Sequence, residues 1–491
     1  MAYDSIIIGS GLSGLTCALL LARSGRRVLV LEQHSQPAPV VRGFRRAGIY
    51  FDSGFHYVGG LGDGGAFQPL FKHLGLADRL TLTEYNPDGF DRLKINSSGE
   101  TSSLPIGFAQ IKEELAQRFP ALKVEIEGYL NAIEQKWCCY PYLDLNVDIS
   151  DFGMESVHGE SLKQRLDVFS AAPELQSLLS MHSLLFGVDP GEASATLNAQ
   201  VAGSYYHSVH GVDGGGKALI DAYLALLDGV GADIRCQAEV ESLLEESGQV
   251  SGVRLACGEE ISATEVIATQ NPTLLPQIVP EGILRPAYLK RLKNLRQTMS
   301  AYVLFGKTSQ PLDALERCSL FIQQQAGVFT SGAKLPLEQR SCYLTSAGED
   351  ASGQNRGIIG IVPAGYGEVV EYSEGKNSRS SGYAEKKDLV AIKIKEMLVQ
   401  GCPELADLEI LDLATPLTLR DYSLAPQGAI YGAGHFIGQY NPHPVTRLPG
   451  LFLSGQAIAA PGLLGTVVAA YITCGSILGH ELLRGEIKTC R

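Results

Sequence analysis

The sequence predicts an α/β protein in which a doubly wound, parallel-sheet domain is completed by a discontinuous α+β domain. Three observations predict it. The chain opens on an apolar run, YDSIII (3–8), followed by a glycine-rich turn, an apolar-periodic helix and a second apolar run. A further strand-like run, VIATQNP (266–272), reads as a return to the same sheet much later in the chain. Charged helical segments such as IKEELAQRF (111–119) and AEKKDLVAIKIKEML (384–398) suit the outer layer of a second domain. Short apolar strands alternating with helices are the pattern of βαβ units.

The first unit can be read element by element. YDSIII is the strand, and Gly9-Ser10-Gly11-Leu12-Ser13-Gly14 is the turn. In LTCALLLARSG, Leu15, Ala18, Leu19 and Ala22 recur at helical spacing, and Gly25 ends the helix. RRVLVLEQH is the second strand, and Glu32 stands at its end, about 20 residues after the glycines. This is the Rossmann-type fingerprint of a dinucleotide site. Gly9 permits the tight turn, Gly11 admits a pyrophosphate to the backbone, and Gly14 lets the helix pack on the strand. The helix N-terminus then faces the phosphates, and Glu32 accepts from ribose hydroxyls. Gly357-Ile-Ile-Gly360 has no helix and acid behind it, and GVDGGG (211–216) follows no convincing strand. The sequence therefore predicts one dinucleotide site.

Composition narrows the partners. The 491 residues are 45% hydrophobic and 19% charged, which is globular and sufficient for a large core. The formal charge of −13 argues against nucleic acid as a bulk electrostatic partner. The ten cysteines are scattered with no C-x-x-C pair, so they read as thiols in a reducing compartment. The opening MAYDSIII reads as a strand and not as a secretory leader. Leu448–Gly479 lacks charge, but its prolines and glycines argue against a membrane span.

Several blocks together resemble one family. Residues 5–34, FDSGFHYVGG (51–60), HGVDGGGKALIDAYLALLDGVGADIRCQAEVESLL (210–244), ATPLTLRDYSLAPQGAIYG (414–432) and GLFLSGQAIAAPGLLGTVVAAY (450–471) carry the likeness. They resemble the phytoene desaturase, carotenoid isomerase and retinol saturase family, within the flavin amine-oxidase superfamily. The resemblance implies FAD as cofactor. It places Gly9, Gly11, Ser13 and Gly14 at the pyrophosphate, Glu32 at the ribose, and the Val240 backbone at adenine. It places Gly455 and Gln456 at the ribityl chain and pyrophosphate, and Gly465, Thr466 and Val467 near the flavin C2 carbonyl. A helix dipole there would stabilise an anionic reduced flavin.

Two positions depart from the family pattern. Many relatives carry Gly-Gly where this chain has Ala38 and Pro39, so the loop is expected to run differently, with Arg42 compensating at the phosphate. Desaturases usually carry Asp where this chain has Gln456, which leans toward the retinol saturase-like branch. Transfer of hydride through a flavin needs little from the protein beyond positioning, but saturation also needs a proton donor. The candidates are His56 and Tyr57, each with a structural role as the competing reading. Asp52 reads as fixing a turn. Tyr205, Tyr206, His207 and His210 read as a pocket wall or surface turn, not as a metal site, because no third ligand has a clear spacing. Trp137-Cys138-Cys139-Tyr140-Pro141-Tyr142 reads equally as an apolar tunnel wall or as core.

The expected FAD-binding domain takes residues 1–75, 200–270 and 420–491, and the substrate-binding domain takes 76–199 and 271–419. The segment GEVVEYSEGKNSRSSGYAEK reads as a mobile loop. The basic helix YLKRLKNLRQ reads as a solvated face packed on the substrate domain or, alternatively, as a membrane-surface helix. The expected activity is FAD-dependent saturation or desaturation of a carbon–carbon bond in a long apolar polyene or isoprenoid. The electron partner is left open, and the location is cytoplasmic with possible peripheral membrane contact. The alternatives are a flavin-dependent polyene cis/trans isomerase, an amine oxidase, and a non-catalytic escort for prenylated proteins.

Overall fold

The computed structural model describes residues 2–149, 157–310, 312–330 and 332–490. A parallel sheet is built from distant parts of the chain, in the order Asp233–Arg235, Val28–Leu31, Tyr3–Ile8, Glu260–Ala268 and Leu451–Leu453. Ile7 stands beside Val30 on one side and Ile267 on the other, and Ile267 stands beside Phe452. The centre of this sheet is apolar and buried: Ile6–Ile8, Val28–Leu31 and Val266–Ala268 lie in one core with the helices packed on it. The first half of Glu260–Ala268 turns instead to an antiparallel meander with Gln249–Leu255 and Val240–Glu246.

Helix Leu12–Arg23 is buried along nearly its whole length, not on one stripe only. It lies against helices Gly215–Gly229 and Gly462–Leu478 as well as the sheet. Gly462–Leu478 explains the charge-free C-terminal stretch, since it is a helix of the interior with Val467 to Tyr471 fully buried. Among the described residues no helix is long and apolar enough to cross a membrane.

A second, seven-stranded sheet runs Glu409–Ala414, Ser300–Thr308, Arg356–Ala364, Cys342–Glu349, Ser319–Gln323, Asp91–Ile95 and Thr101–Leu104. It is antiparallel except where Ser319–Gln323 pairs parallel with Asp91–Ile95, Ser319 opposite Asp91. Alternation along the strands sends Leu320, Ile322, Cys342 and Leu344 to one face, where helix Tyr383–Gly401 covers them. Phe321 and Tyr343 point the other way, into a helical layer that includes Phe108–Arg118, Lys123–Lys136 and Ala195–His207.

Two segments behave differently from the sequence reading. Residues 373–379 form a small hairpin, and Arg379 and Arg420 pair with Asp421 to tie it down. On the basic helix Pro286–Lys293, Leu292 is buried, and Leu289 and Tyr288 pack with it against the core of the parallel sheet. The apolar side of that helix is therefore used inside the protein, and its partner is the nucleotide-type domain.

Candidate active site

Helices Leu12–Arg23 and Gly462–Leu478 each follow a strand of the parallel sheet, so both begin at its carboxyl edge. Neither has a side-chain cap, and the first-turn N–H groups of a helix have no partner within it. Gly9 has φ +101°, and a Cβ there would press on Thr269 Oγ1 at 2.7 Å. A Cβ on Gly14 would overlap the Gly9 carbonyl oxygen, so the helix starts this close to the turn only because Gly14 has no side chain. A Cβ on Gly11 would meet nothing within 4 Å. What restricts Gly11 is therefore not the protein, which fits a ligand lying on the backbone.

Glu32 is buried at the end of its strand. Its Oε2 accepts from the Ser10 N–H at 3.0 Å and from Ser10 Oγ at 2.6 Å, and its Oε1 accepts from the His34 N–H at 2.9 Å. The Ala238 N–H donates to the Glu32 carbonyl at 2.8 Å, which brings the start of strand Val240–Glu246 beside the acid. Ser13 Oγ lies 2.7 Å from Ser454 Oγ, tying the first helix to the last strand and leaving the Ser13 N–H for an anion. Arg42 Nη2 donates to Asp221 at 2.7 Å, while its Nη1 is buried without a partner among the described residues. Ala38 is left-handed, φ 48° and ψ 49°, in a region where glycine is at ease. The loop thus reaches Arg42 through a strained residue, held by the Ala38 N–H bond to Ser10 Oγ at 2.8 Å.

At the other end of the crevice Gly455 has φ +116° and leads into Gln456. The Gln456 carbonyl is 2.8 Å from His435 Nε2, and Asn441 Nδ2 donates to the Ala457 carbonyl at 3.0 Å. His435 and Asn441 brace this turn and were not visible as site residues in the sequence. Gly465 has no room for a side chain beside the Ala460 carbonyl. Thr466 Oγ1 bonds back to the Gly462 and Leu463 carbonyls, and Val467 is fully buried. A row of backbone donors, an orphaned guanidinium nitrogen and a buried ribose-type acid fit a dinucleotide.

A narrow cavity of about 40 Å³ opens at the start of helix Gly462–Leu478. Tyr57, Trp137, Tyr140, Val201, Tyr205 and Leu463 are among the residues that wall it, and none of its lining residues is charged. Gly203 lets helix Ala195–His207 close directly onto Trp137. His207 ends that helix with its ring 5.2 Å from Trp137, and His210 lies on strand Val209–Val212. Among the described residues no group of three His, Cys, Asp or Glu side chains is placed to hold a metal.

His56 and Tyr57 part company. The His56 ring lies 5.8 Å from Tyr343 in a crowded but partly accessible position, and burial pushes its imidazole down to about 4. It is neutral near pH 7, so the imidazolium expected of a proton donor is not populated there. Tyr57 O–H donates to Asp91 Oδ2 at 3.0 Å, and His182 Nε2 is 2.8 Å from the same oxygen. Asp91 and His182 are both 0% exposed. Burial raises the Asp91 carboxyl, opposed by the bonds from His182 and Tyr57. Sequence reasoning missed Asp91 and His182, because neither DRLKI nor MHSLL carries a local signal of chemistry. Asp52 accepts from the Gly216 N–H at 2.7 Å and so fixes the start of helix Gly215–Gly229.

Comparison with known proteins adds to this geometry. The profile of the flavin containing amine oxidoreductases matches residues 12–473. The all-trans-retinol 13,14-reductase of Rattus norvegicus is 25% identical, over 98% of this chain and 86% of its own length. The hydroxyneurosporene desaturase of Rubrivivax gelatinosus is 24% identical, over 97% of this chain and 93% of its own length. Among solved structures, an oxidoreductase from Methanosarcina mazei has the same fold, with a TM-score of 0.67 at 15% identity, covering 97% of this chain and 99% of that one.

Proposed function

The chain belongs to the flavin containing amine oxidoreductase family, and from that premise we propose that it is an FAD-dependent oxidoreductase of carbon–carbon bonds in a long apolar polyene or isoprenoid. The observation that carries the substrate class is the cavity wall. Its lining is aromatic and aliphatic, with Gln200, Ser204 and tyrosine hydroxyls as the polar groups and no charged side chain. A cationic amine would enter such a site stripped of its water and without a counter-ion, at a cost of several kcal/mol. An apolar chain would lose nothing. The retinol reductase and the carotenoid desaturase, which match nearly the whole chain, support the same reading.

FAD is favoured over a smaller flavin by the reach of the crevice. The Gly9–Gly14 turn and Glu32 would hold pyrophosphate and ribose, and the Gly455–Gln456 turn and the start of helix Gly462–Leu478 would hold the flavin end. When bound, the flavin supplies the two-electron chemistry. The chain binds the dinucleotide, aligns the substrate, and excludes water through the aromatic wall. We place the enzyme in the cytoplasm with peripheral access to membranes, where such a substrate partitions; full recovery in a detergent-free soluble fraction, with no binding to vesicles, would count against that.

The test is anaerobic. The purified protein is loaded with FAD, reduced, and mixed with all-trans-retinol or a carotenoid. Flavin reoxidation with a product two hydrogens heavier is the expected result for saturation, and reduction of oxidised flavin by a more saturated polyene for desaturation. Reduced flavin that persists while the polyene changes geometry would make the protein an isomerase. Turnover of amines but not of polyenes would overturn the proposal.

A further inference from the structure

The Tyr57–Asp91–His182 cluster is not explained by binding either a dinucleotide or an apolar chain. A carboxylate and an imidazole at 0% exposure are expensive to bury, and well-packed apolar residues in their place are often neutral or stabilising. Buried ionisable groups beside a cleft are a mark of functional sites. The cluster also joins three distant segments: the FDSGFHYVGG block, the first residue of strand Asp91–Ile95, and the turn Met181–Leu185. Of its three members only Tyr57 lines the cavity.

We infer that Asp91 and His182 are positioning residues for Tyr57, and that the protonation of Asp91 sets whether the Tyr57 O–H points at Asp91 or into the cavity. This rests on the polyene reading for its consequence but not for its geometry. One oxygen, Asp91 Oδ2, lies 3.0 Å from the phenol and 2.8 Å from the imidazole. With Asp91 ionised, the carboxylate accepts from the phenol and from His182 Nε2, and the phenolic hydrogen is turned toward it. When Asp91 takes up one proton from solvent on Oδ1, 3.3 Å from the phenolic oxygen, the carboxyl donates to that oxygen, Oδ2 still accepts from His182, and the phenolic hydrogen is free to face the cavity. The two states differ by one proton bound at Asp91 and by the direction of one phenolic hydrogen.

The surroundings restrict the titration to Asp91. Tyr85, Tyr205, Tyr206 and Tyr343 face Asp91, and burial raises each phenol further above its ordinary value. Burial pushes the neighbouring Cys318 thiol up to about 11. All five therefore stay protonated near neutrality. Arg92, the next residue along the strand, points to the opposite face and donates to the Asp313 and Ala314 carbonyls. Asp91 is left as the group whose protonation can change there.

The experiment uses the full-length FAD-loaded protein with Tyr57→Phe, Asp91→Asn and His182→Gln, each checked for flavin content and melting temperature. Tyr57→Phe is expected to keep its flavin and lower kcat for polyene conversion by about 10²-fold or more, with KM little changed. Asp91→Asn and His182→Gln are expected to keep flavin and to remove or displace one limb of the pH–rate profile. Wild-type turnover and pH profile in all three variants would overturn the inference, and so would loss of flavin and stability in all three together. A second readout does not need a substrate: the absorbance band of bound oxidised flavin, followed against pH. It is expected to titrate in the wild type and to lose or shift that titration in Asp91→Asn and His182→Gln. If the wild type converts no polyene yet the band titrates this way, the functional reading fails and the inference stands; a band indifferent to pH, or to the substitutions, overturns it.

Discussion

Glu32 and Asp91 are both carboxylates removed from water, 6% and 0% exposed, but they are held in opposite ways. Glu32 takes its hydrogen bonds from Ser10 and His34, two of them backbone N–H groups, within one βαβ unit. Asp91 takes its bonds from the side chains of Tyr57 and His182, in separate parts of the fold. The first arrangement is produced by the local path of the chain and survives wherever that path forms. The second exists only after the sheet containing Asp91 and the helical layer have packed. The dinucleotide crevice is thus set by backbone, and the place of Tyr57 in the cavity wall by tertiary contact with the Asp91 and His182 side chains.

The sharpest way to separate the two is to remove the partner of the buried acid. His182→Ala would leave the Asp91 carboxylate enclosed with only a phenol beside it. Breaking a buried pair in this way typically costs about 3–5 kcal/mol. The expected result is a fall of that size in unfolding free energy by urea titration. Its pH dependence follows from sign. Burial holds the folded Asp91 carboxyl above its unfolded value, so the folded state retains a proton more tightly. The deficit should therefore shrink as pH falls, and a deficit that grows instead would show that Asp91 is not the group left exposed to the change.

The crevice should fail differently. In Gly14→Ala the new methyl overlaps the Gly9 carbonyl, so either the turn or the helix must move. Overpacking of this kind costs about 1–3 kcal/mol, less than the loss of His182. Its effect on flavin should be the larger of the two, because the displaced atoms are the backbone donors themselves. The measurement is the ratio of flavin to protein after purification. A Gly14→Ala protein with full flavin content would break the claim that backbone position makes this site.

The same contrast explains what could be read from the amino acids. The Gly9–Gly14 turn, its flanking strands and Glu32 are contiguous, and each residue's constraint is local, so type and spacing reveal them. Strand Tyr3–Ile8 and helix Leu12–Arg23 lie close to where periodicity puts them. Trp137 and Tyr205 were visible as aromatic residues but not as parts of one wall, since the wall forms only when Gly203 lets their helices close. Asp91 reads as an ordinary strand acid and His182 as an ordinary core histidine. His435 and Asn441 act through carbonyls of the Gln456 turn, and nothing in their own neighbourhood announces it. The basic helix Pro286–Lys293 was amphipathic as expected, but periodicity does not say which surface receives its apolar side.

Asp52 falls between the two cases and gives the finest test. Like Glu32 it accepts from a backbone N–H, that of Gly216, but like Asp91 it reaches across the fold to find it. Burial pushes its carboxyl up to about 6, against the bonds from Gly216 and Tyr50. A raised folded pKa means that the folded state binds the proton more tightly than the unfolded chain, where Asp titrates near ~3.9. Stability should rise as pH falls from above 6 toward 4, and be flat below that. Asp52→Asn keeps an oxygen for the Gly216 N–H and removes the charge that burial penalises. It also weakens two hydrogen bonds that a charged acceptor strengthens, so the net gain at pH 7.5 should be only about 1 kcal/mol, read as a higher urea midpoint. That gain should vanish near pH 4, where the wild-type acid is itself neutral. A destabilised Asp52→Asn at pH 7.5 would mean that the charge, and not the oxygen, holds the start of helix Gly215–Gly229, and Asp52 would then belong with Asp91.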